Sequence, residues 1–161
     1  MIAVAMSVGV SSLCSAAAPA GENANDLAIS LTAQKVSKGP DGKEVLQPAE
    51  RAFPGEIVQY DAHYLNKGQQ PLRNVEPTLP IPRGMTYLPD SAKPAPAQAS
   101  LDGKKFEPIP LKRKVTLPDG TVEEREVPAT EYRALRWVVG RMEAGGQTTV
   151  VARAKIVPTQ P

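Results

Sequence analysis

Residues 56–68 read Glu56-Ile57-Val58-Gln59-Tyr60-Asp61-Ala62-His63-Tyr64-Leu65-Asn66-Lys67-Gly68. Val58, Tyr60, Ala62 and Tyr64 fall on one side of a two-residue repeat, and Gln59, Asp61 and His63 on the other. Successive side chains of a strand point to opposite faces, so this stretch predicts a half-buried strand with Tyr60 and Tyr64 turned into the core. Asn66-Lys67-Gly68 adds a residue tolerant of left-handed geometry and a glycine, which is the chemistry of a turn that ends the strand.

The same alternation recurs outward from this segment. Leu27, Ile29, Leu31 and Ala33 alternate with Ala28, Ser30, Thr32 and Gln34, predicting a first strand with the former set buried. Asp41-Gly42 turns the chain, and Lys43 to Gln47 returns as a short strand before Pro48. Leu72 to Leu79 is extended, but Pro71, Pro77, Pro80 and Pro82 cannot donate ladder hydrogen bonds, so the segment belongs at a sheet edge. Met85 to Leu88 is a short extended piece, Ser91 to Ser100 reads as a surface loop, and Leu101 to Lys104 as a turn. The clearest hairpin is Leu111 to Leu117, then Asp119-Gly120, then Thr121 to Val127.

Glu131 to Met142 is ambiguous, because Tyr132, Leu135 and Val139 also fit a helical face. The preferred reading is a helical turn at Ala129 to Tyr132, then a strand from Arg133 to Val139 with Leu135, Trp137 and Val139 inward. Tyr132, after its proline-bounded turn, has the placement of a tyrosine corner. A last strand covers Thr148 to Val157. About seven short strands with glycine-bearing turns, and no long amphipathic helix, predict an all-β sandwich or barrel in one domain.

The chain has 161 residues, enough for one core. Met1 to Gly21 carries no charge, and an apolar run passes into Ala16, Ala17, Ala18, Pro19 and Ala20. This predicts a secretory signal peptide over 1–20, cleaved after Ala20, and a domain over 21–161 with its core at 26–157. A membrane anchor is the competing reading, disfavoured by Ser7, Gly9, Ser11, Ser12 and Ser15. No basic residue precedes Lys35, where a leader ordinarily carries one near its start. The expected location is periplasmic or secreted, with no membrane span after cleavage. Cys14, the single cysteine, lies in the leader, so the mature chain would have neither disulfides nor thiolate chemistry.

Nineteen Lys and Arg stand against 17 Asp and Glu, and the signs interleave, which leaves no bias toward nucleic acid. Lys112-Arg113-Lys114 lies across a turn from Glu123-Glu124-Arg125-Glu126, so cross-strand pairing accounts for both runs. His63 is the lone histidine and has only Asp61 beside it, too few groups for a triad or a metal site. The Asp-Gly pairs at 41, 102 and 119 lack the alternating acids of a calcium loop. No catalytic, metal or cofactor site is expected. With one Trp, four Tyr and two Phe, several of them assigned inward, a sugar-stacking platform is thinly supplied.

As a set, Pro54-Gly55-Glu56, Tyr64-Leu65-Asn66-Lys67-Gly68, Leu72-Arg73-Asn74-Val75, Leu79 to Tyr87 and Ser91 resemble the bacterial family called domain of unknown function eleven. The likeness continues through Pro128 to Tyr132, Leu135-Arg136-Trp137, a Gly-Gly turn and Val150 to Ala154, and covers about residues 26 to 157. Ala144 stands before Gly145-Gly146 where the family usually has a proline, and the copy is solitary. The resemblance implies an immunoglobulin-like antiparallel sandwich of the cell envelope, of about seven to nine strands, with no catalytic residues to carry over.

The functional expectation is a non-enzymatic exported envelope module, binding or structural, with an envelope protein or peptide as partner. A carbohydrate-binding sandwich is the alternative. Tyr60, Tyr64, Leu135 and Trp137 are the expected structural core. Arg73 and Asn74, beside the proline-rich edge, are the expected partner contacts.

Overall fold

The structure, a computed structural model, describes residues 26–158. The expected signal peptide lies outside the described residues, and no helix among them is long and apolar enough to cross a membrane. In chain order the strands are β1 (Leu27–Lys38), β2 (Glu44–Pro48), β3 (Ile57–Asn66), β4 (Leu72–Val75), β5 (Thr78–Pro80), β6 (Met85–Tyr87) and β7 (Gln98–Ser100). After them come β8 (Glu107–Pro108), β9 (Lys112–Thr116), β10 (Val122–Glu126), β11 (Ala134–Arg136), β12 (Gly140–Met142) and β13 (Gln147–Ile156). A 3₁₀ turn at Ala129–Glu131 precedes β11.

The protein is all-β and antiparallel. One sheet has the order β2-β1-β3-β13-β6 and a second the order β5-β11-β7-β8, while β12-β4 and β10-β9 form two-stranded pairs. The long strand β3 is central: it pairs with β1 over Val36–Leu27 and with β13 over Lys155–Gln147. Its inward set Val58, Ala62 and Tyr64 and the facing Val150, Ala152 and Ala154 of β13 are buried. Over them lie Leu79 of β5, Ala99 of β7 and Leu135 of β11, in one hydrophobic cluster that also takes in Tyr87 and Trp137. The arrangement is sandwich-like, with two sheets closing on one core.

Leu135 is fully buried and Trp137 is 2% exposed, its indole N–H donating to the Pro94 carbonyl at 2.8 Å. Tyr64 is 5% exposed and its hydroxyl donates to the Thr78 carbonyl at 3.2 Å, tying the two sheets together. Tyr60 is half-buried against the cluster, with its hydroxyl on the Met85 sulfur. Tyr132, 3% exposed, accepts the buried Leu111 N–H at 3.0 Å and so anchors the base of the β9–β10 hairpin. That donor is 21 residues upstream, farther along the chain than a local corner contact.

Three elements differ from the sequence reading. The strand expected over Arg133 to Val139 is shorter, β11 covering Ala134–Arg136 and pairing with β5 and β7, and where the chain was expected to turn at Gly140 it enters β12, which pairs with β4 in another sheet. Gly140, at φ 77°, supplies the left-handed step at the start of β12. The stretch read as a surface loop ends in β7, which pairs with β11 and β8, because Ala97, Ala99 and Ser100 are small enough to be buried there. The third difference concerns β1, whose alternate apolar residues were expected inside. Ile29 and Leu31 pair with Tyr64 and Ala62 and share their face, yet are 60% and 55% exposed. The physical reason is width: the second sheet covers β3 and β13 and stops short of β1.

Asn66 is the buried polar residue that joins the ends of these strands. Its amide N–H₂ donates to the carbonyls of Gln70 at 2.8 Å, Glu143 at 2.9 Å and Met142 at 3.2 Å. Its side-chain oxygen accepts from Gly68 N–H, while its backbone exchanges hydrogen bonds with Gly146 and Gly145. Asn66→Ala strands the buried Met142 carbonyl and the partly buried ones of Gln70 and Glu143, and is expected to cost about 3 kcal/mol. Asn66→Asp is worse at neutral pH, since a carboxylate cannot donate to carbonyls. Protonation restores a donor, so the folded pKa of that aspartate lies above its unfolded value of about 3.9. Its ionic penalty is therefore absent below that value and grows as pH rises toward the folded pKa. Urea unfolding of both variants between acid and neutral pH checks this ordering.

Candidate functional site

Outward-facing residues of β3 and β13 build the polar face of the first sheet. Arg153 sits opposite Gln59 in the ladder, and its Nε donates to Gln59 Oε1 at 2.9 Å. The Gln59 amide passes the contact on to Asp61 at 3.2 Å. On the other side, Arg153 Nη1 meets Glu44 Oε2 at 2.9 Å. Glu44 belongs to β2, with β1 and β3 between it and β13. Three strand spacings of about 4.8 Å each exceed the comfortable reach of a Glu and an Arg across a flat sheet. The β1–β2 end therefore bends over the outer face.

The bend makes one wall of a half-open groove of about 590 Å³. Its floor is Gln59, Val151 and Arg153, and its far wall is the segment Leu88 to Ser91 with Lys93. That wall is held by backbone: Lys93 and Val151 exchange two hydrogen bonds of 2.8 Å, and Leu88 N–H donates to Arg153 O. Ser91 Oγ donates to the Leu88 carbonyl at 2.6 Å and accepts from Arg153 N–H at 3.0 Å. Its hydroxyl thus serves the loop. The groove is lined by two carboxylates, Glu44 and Asp90, two cations, Arg153 and Lys93, and the Gln59 amide.

His63 also lies on this face, but its Nδ1 is 2.9 Å from Thr149 Oγ1, its cross-strand neighbour, while Asp61 is engaged by Gln59. Among the described residues no three His, Cys, Asp or Glu side chains cluster as a metal site. Arg73 and Asn74 are exposed on β4, where Asn74 at φ 53° turns left-handed, and neither lines the groove. Nothing in sequence singled out Arg153, Glu44 or Lys93. They look like ordinary exposed positions, and the strand order alone brings Glu44 to Arg153 across 109 residues.

The charged hairpin carries its ions in local pairs. Lys112 meets Glu124 at 3.5 Å, Arg125 meets Glu123 at 2.9 Å, and Arg113 makes a two-point contact with Glu131. The last contact matters because Arg113 and Arg125 stand directly opposite in the ladder.

Of the aromatic residues, Phe53 alone is exposed. Tyr87 and Tyr132 stack with ring centroids 6.0 Å apart inside the core, and Phe106 lies beneath the Arg136 guanidinium at 4.4 Å. No protein-family model, curated protein or solved structure matches the chain.

A second concavity of about 270 Å³ lies beside the Leu101–Lys105 turn. Asp102 organises that turn by accepting from Lys104 N–H, Lys105 N–H and the buried Ser100 hydroxyl. These donors, the Lys105 amide foremost, hold its carboxyl down at about 2 from an ordinary 3.8. A depressed pKa contributes stability that is present above the unfolded value and lost as pH falls through the folded one. Stability should therefore decline between about pH 4 and pH 2, with Asp102→Asn removing that part of the slope. Thermal unfolding of the two proteins across that window tests it.

Proposed function

We propose that this chain is a non-enzymatic, exported module of the bacterial cell envelope that works by binding or scaffolding. In this reading the fold is an immunoglobulin-like sandwich and the chain is a short, solitary member of the family it resembles. The uncharged stretch before residue 22, the Pro-Gly-Glu and Asn-Lys-Gly signatures and the closing antiparallel strands support that reading.

The observation that carries the functional part is the distribution of space. The interior is filled by Trp137, Tyr87, Leu135 and Val150, while a half-open polar groove of about 590 Å³ lies between β2, β13 and the Leu88–Lys93 segment. Such a surface suits contact with an extended polar partner more than enclosure of a small substrate. Arg153, Lys93, Glu44 and Asp90 then read the partner, and Arg73 and Asn74 on β4 are a separate contact point. Burial of most aromatics favours an envelope protein or peptide over a glycan, since sugars want coplanar exposed rings.

The test uses the full chain produced in a bacterium with its own N-terminal segment. A photo-crosslinker at Lys93 should trap an envelope component, and Arg153→Ala should reduce the yield several-fold with the fold unchanged by circular dichroism. Intact-mass analysis should find a chain starting near Gly21 in the soluble envelope fraction. Hydrolytic turnover lost on Ser91→Ala or His63→Ala would overturn the non-enzymatic reading. Recovery of intact, unprocessed chain in the cytoplasm would overturn export.

A further inference from the structure

The two sides of β1 are partnered unequally. β2 pairs with β1 only over Gln34–Lys38, whereas β3 pairs with β1 from Leu27 onward. On the β2 side, residues 27–33 of β1 thus have no strand partner among the described residues. This stretch, Leu27-Ala28-Ile29-Ser30-Leu31-Thr32-Ala33, contains no charge, no proline and no glycine. Residues 29–33 are all exposed, and Ile29 and Leu31 project from the face that is core-facing farther along the sheet.

Sheet edges with unpaired N–H and C=O groups invite another strand, and proteins blunt them with charges, prolines, bulges or brevity. The other edge strands among the described residues carry such devices, and the start of β13, Gln147 to Val150, which also lacks a strand partner on its β6 side, exposes no apolar side chain. β5 is three residues flanked by Pro77 and Pro82, and β8 is two residues ending in Pro108. β2 is five residues that begin at Glu44 and end at Pro48, β6 is three residues, and β4 and β12 meet through a register shift. β9 and β10 bear Lys112, Arg113, Lys114, Glu123, Glu124, Arg125 and Glu126. Among the described residues, the first half of β1 is the open edge that also exposes large apolar side chains, Ile29 and Leu31.

We propose that residues 27–33 of β1 form a homodimer interface, pairing antiparallel with the same segment of a second copy about a two-fold axis near Ser30. A two-fold interface must be self-complementary, and this strand is. With Ser30 facing Ser30 of the second copy, Ile29 falls opposite Leu31 and Leu27 opposite Ala33. Pairs directly opposite share a face, so Ile29 and Leu31 of both copies merge into one apolar patch. No like charges meet, because the segment has none. The second copy's strand fits up to the slot beside Gln34, which Pro48 occupies, and this sets its length. Two five-stranded sheets then become one continuous sheet.

The contact is small, near the lower bound of roughly 1,000 Å² for specific interfaces, so association is reversible and concentration-dependent. It is independent of the groove and of any envelope partner. It accounts for the exposed aliphatics on β1 and for the lack of charge or proline along that edge.

Sedimentation velocity of the full chain over a hundredfold range of concentration tests the proposal. A monomer–dimer equilibrium is expected. Leu31→Lys places a charge on an already exposed position and should weaken association at least tenfold while leaving circular dichroism and Tm unchanged. In a Cys14→Ser background, Ser30→Cys should give a disulfide-linked dimer under mild oxidation, and Ser37→Cys should not. A wild-type chain monomeric at every concentration would overturn the proposal, whether residues 1–25 or a different partner covers the edge. So would a dimer that is indifferent to Leu31→Lys and gives no Ser30→Cys cross-link.

Discussion

The amide of Asn66 is the constraint on which the architecture turns. It sits fully buried at the end of β3 and binds the carbonyls of Gln70, Met142 and Glu143, two segments more than seventy residues apart in sequence. Its own backbone closes the turn into β13 through Gly145 and Gly146. Carbonyls withdrawn from water must find donors, and one side chain here serves three at once, that of Met142 buried and the others partly so. Adding a Cβ at Gly146 would bring it to 2.8 Å from Glu143 O, so this turn admits no larger residue.

The opposite end of β3 is closed by other means. Glu56 accepts from Phe53 N–H at 2.8 Å and from Lys35 Nζ at 3.2 Å, and the amide foremost holds its carboxyl below the usual range. Gly55, at φ 93°, donates to Ile156 O. The Pro-Gly-acidic sequence is therefore a clamp that fastens the start of β3 to β1 and to the end of β13. With both ends of the central strand fixed, the outer face can carry polar residues and the groove can form without loosening the core.

Local chemistry made much of this legible. The period-two pattern located β3 and β13, and Asp119-Gly120 located the β9–β10 hairpin, because face alternation and turn geometry are short-range properties. The 3₁₀ turn at Ala129–Glu131 was readable from its proline boundary. The same local rules failed between Arg133 and Met142, where a continuous apolar pattern is divided between two sheets. They also failed at Ile29 and Leu31, since alternation shows which residues share a face but not whether another sheet covers it.

The sequence by itself determined the all-β class, most strand positions, the inward set around Tyr64, Leu135 and Trp137, and the interleaving of charge. Each follows from side-chain periodicity, turn propensity or composition, which act over a few residues. Only the tertiary structure decided that Asn66 is a buried clamp instead of a simple turn residue, and that Arg153 meets Glu44 across the sheet. It also decided that the first half of β1 lies open. These depend on strand order, on the bend of the sheet and on how far the second layer extends, and such long-range relations leave no mark on neighbouring residues.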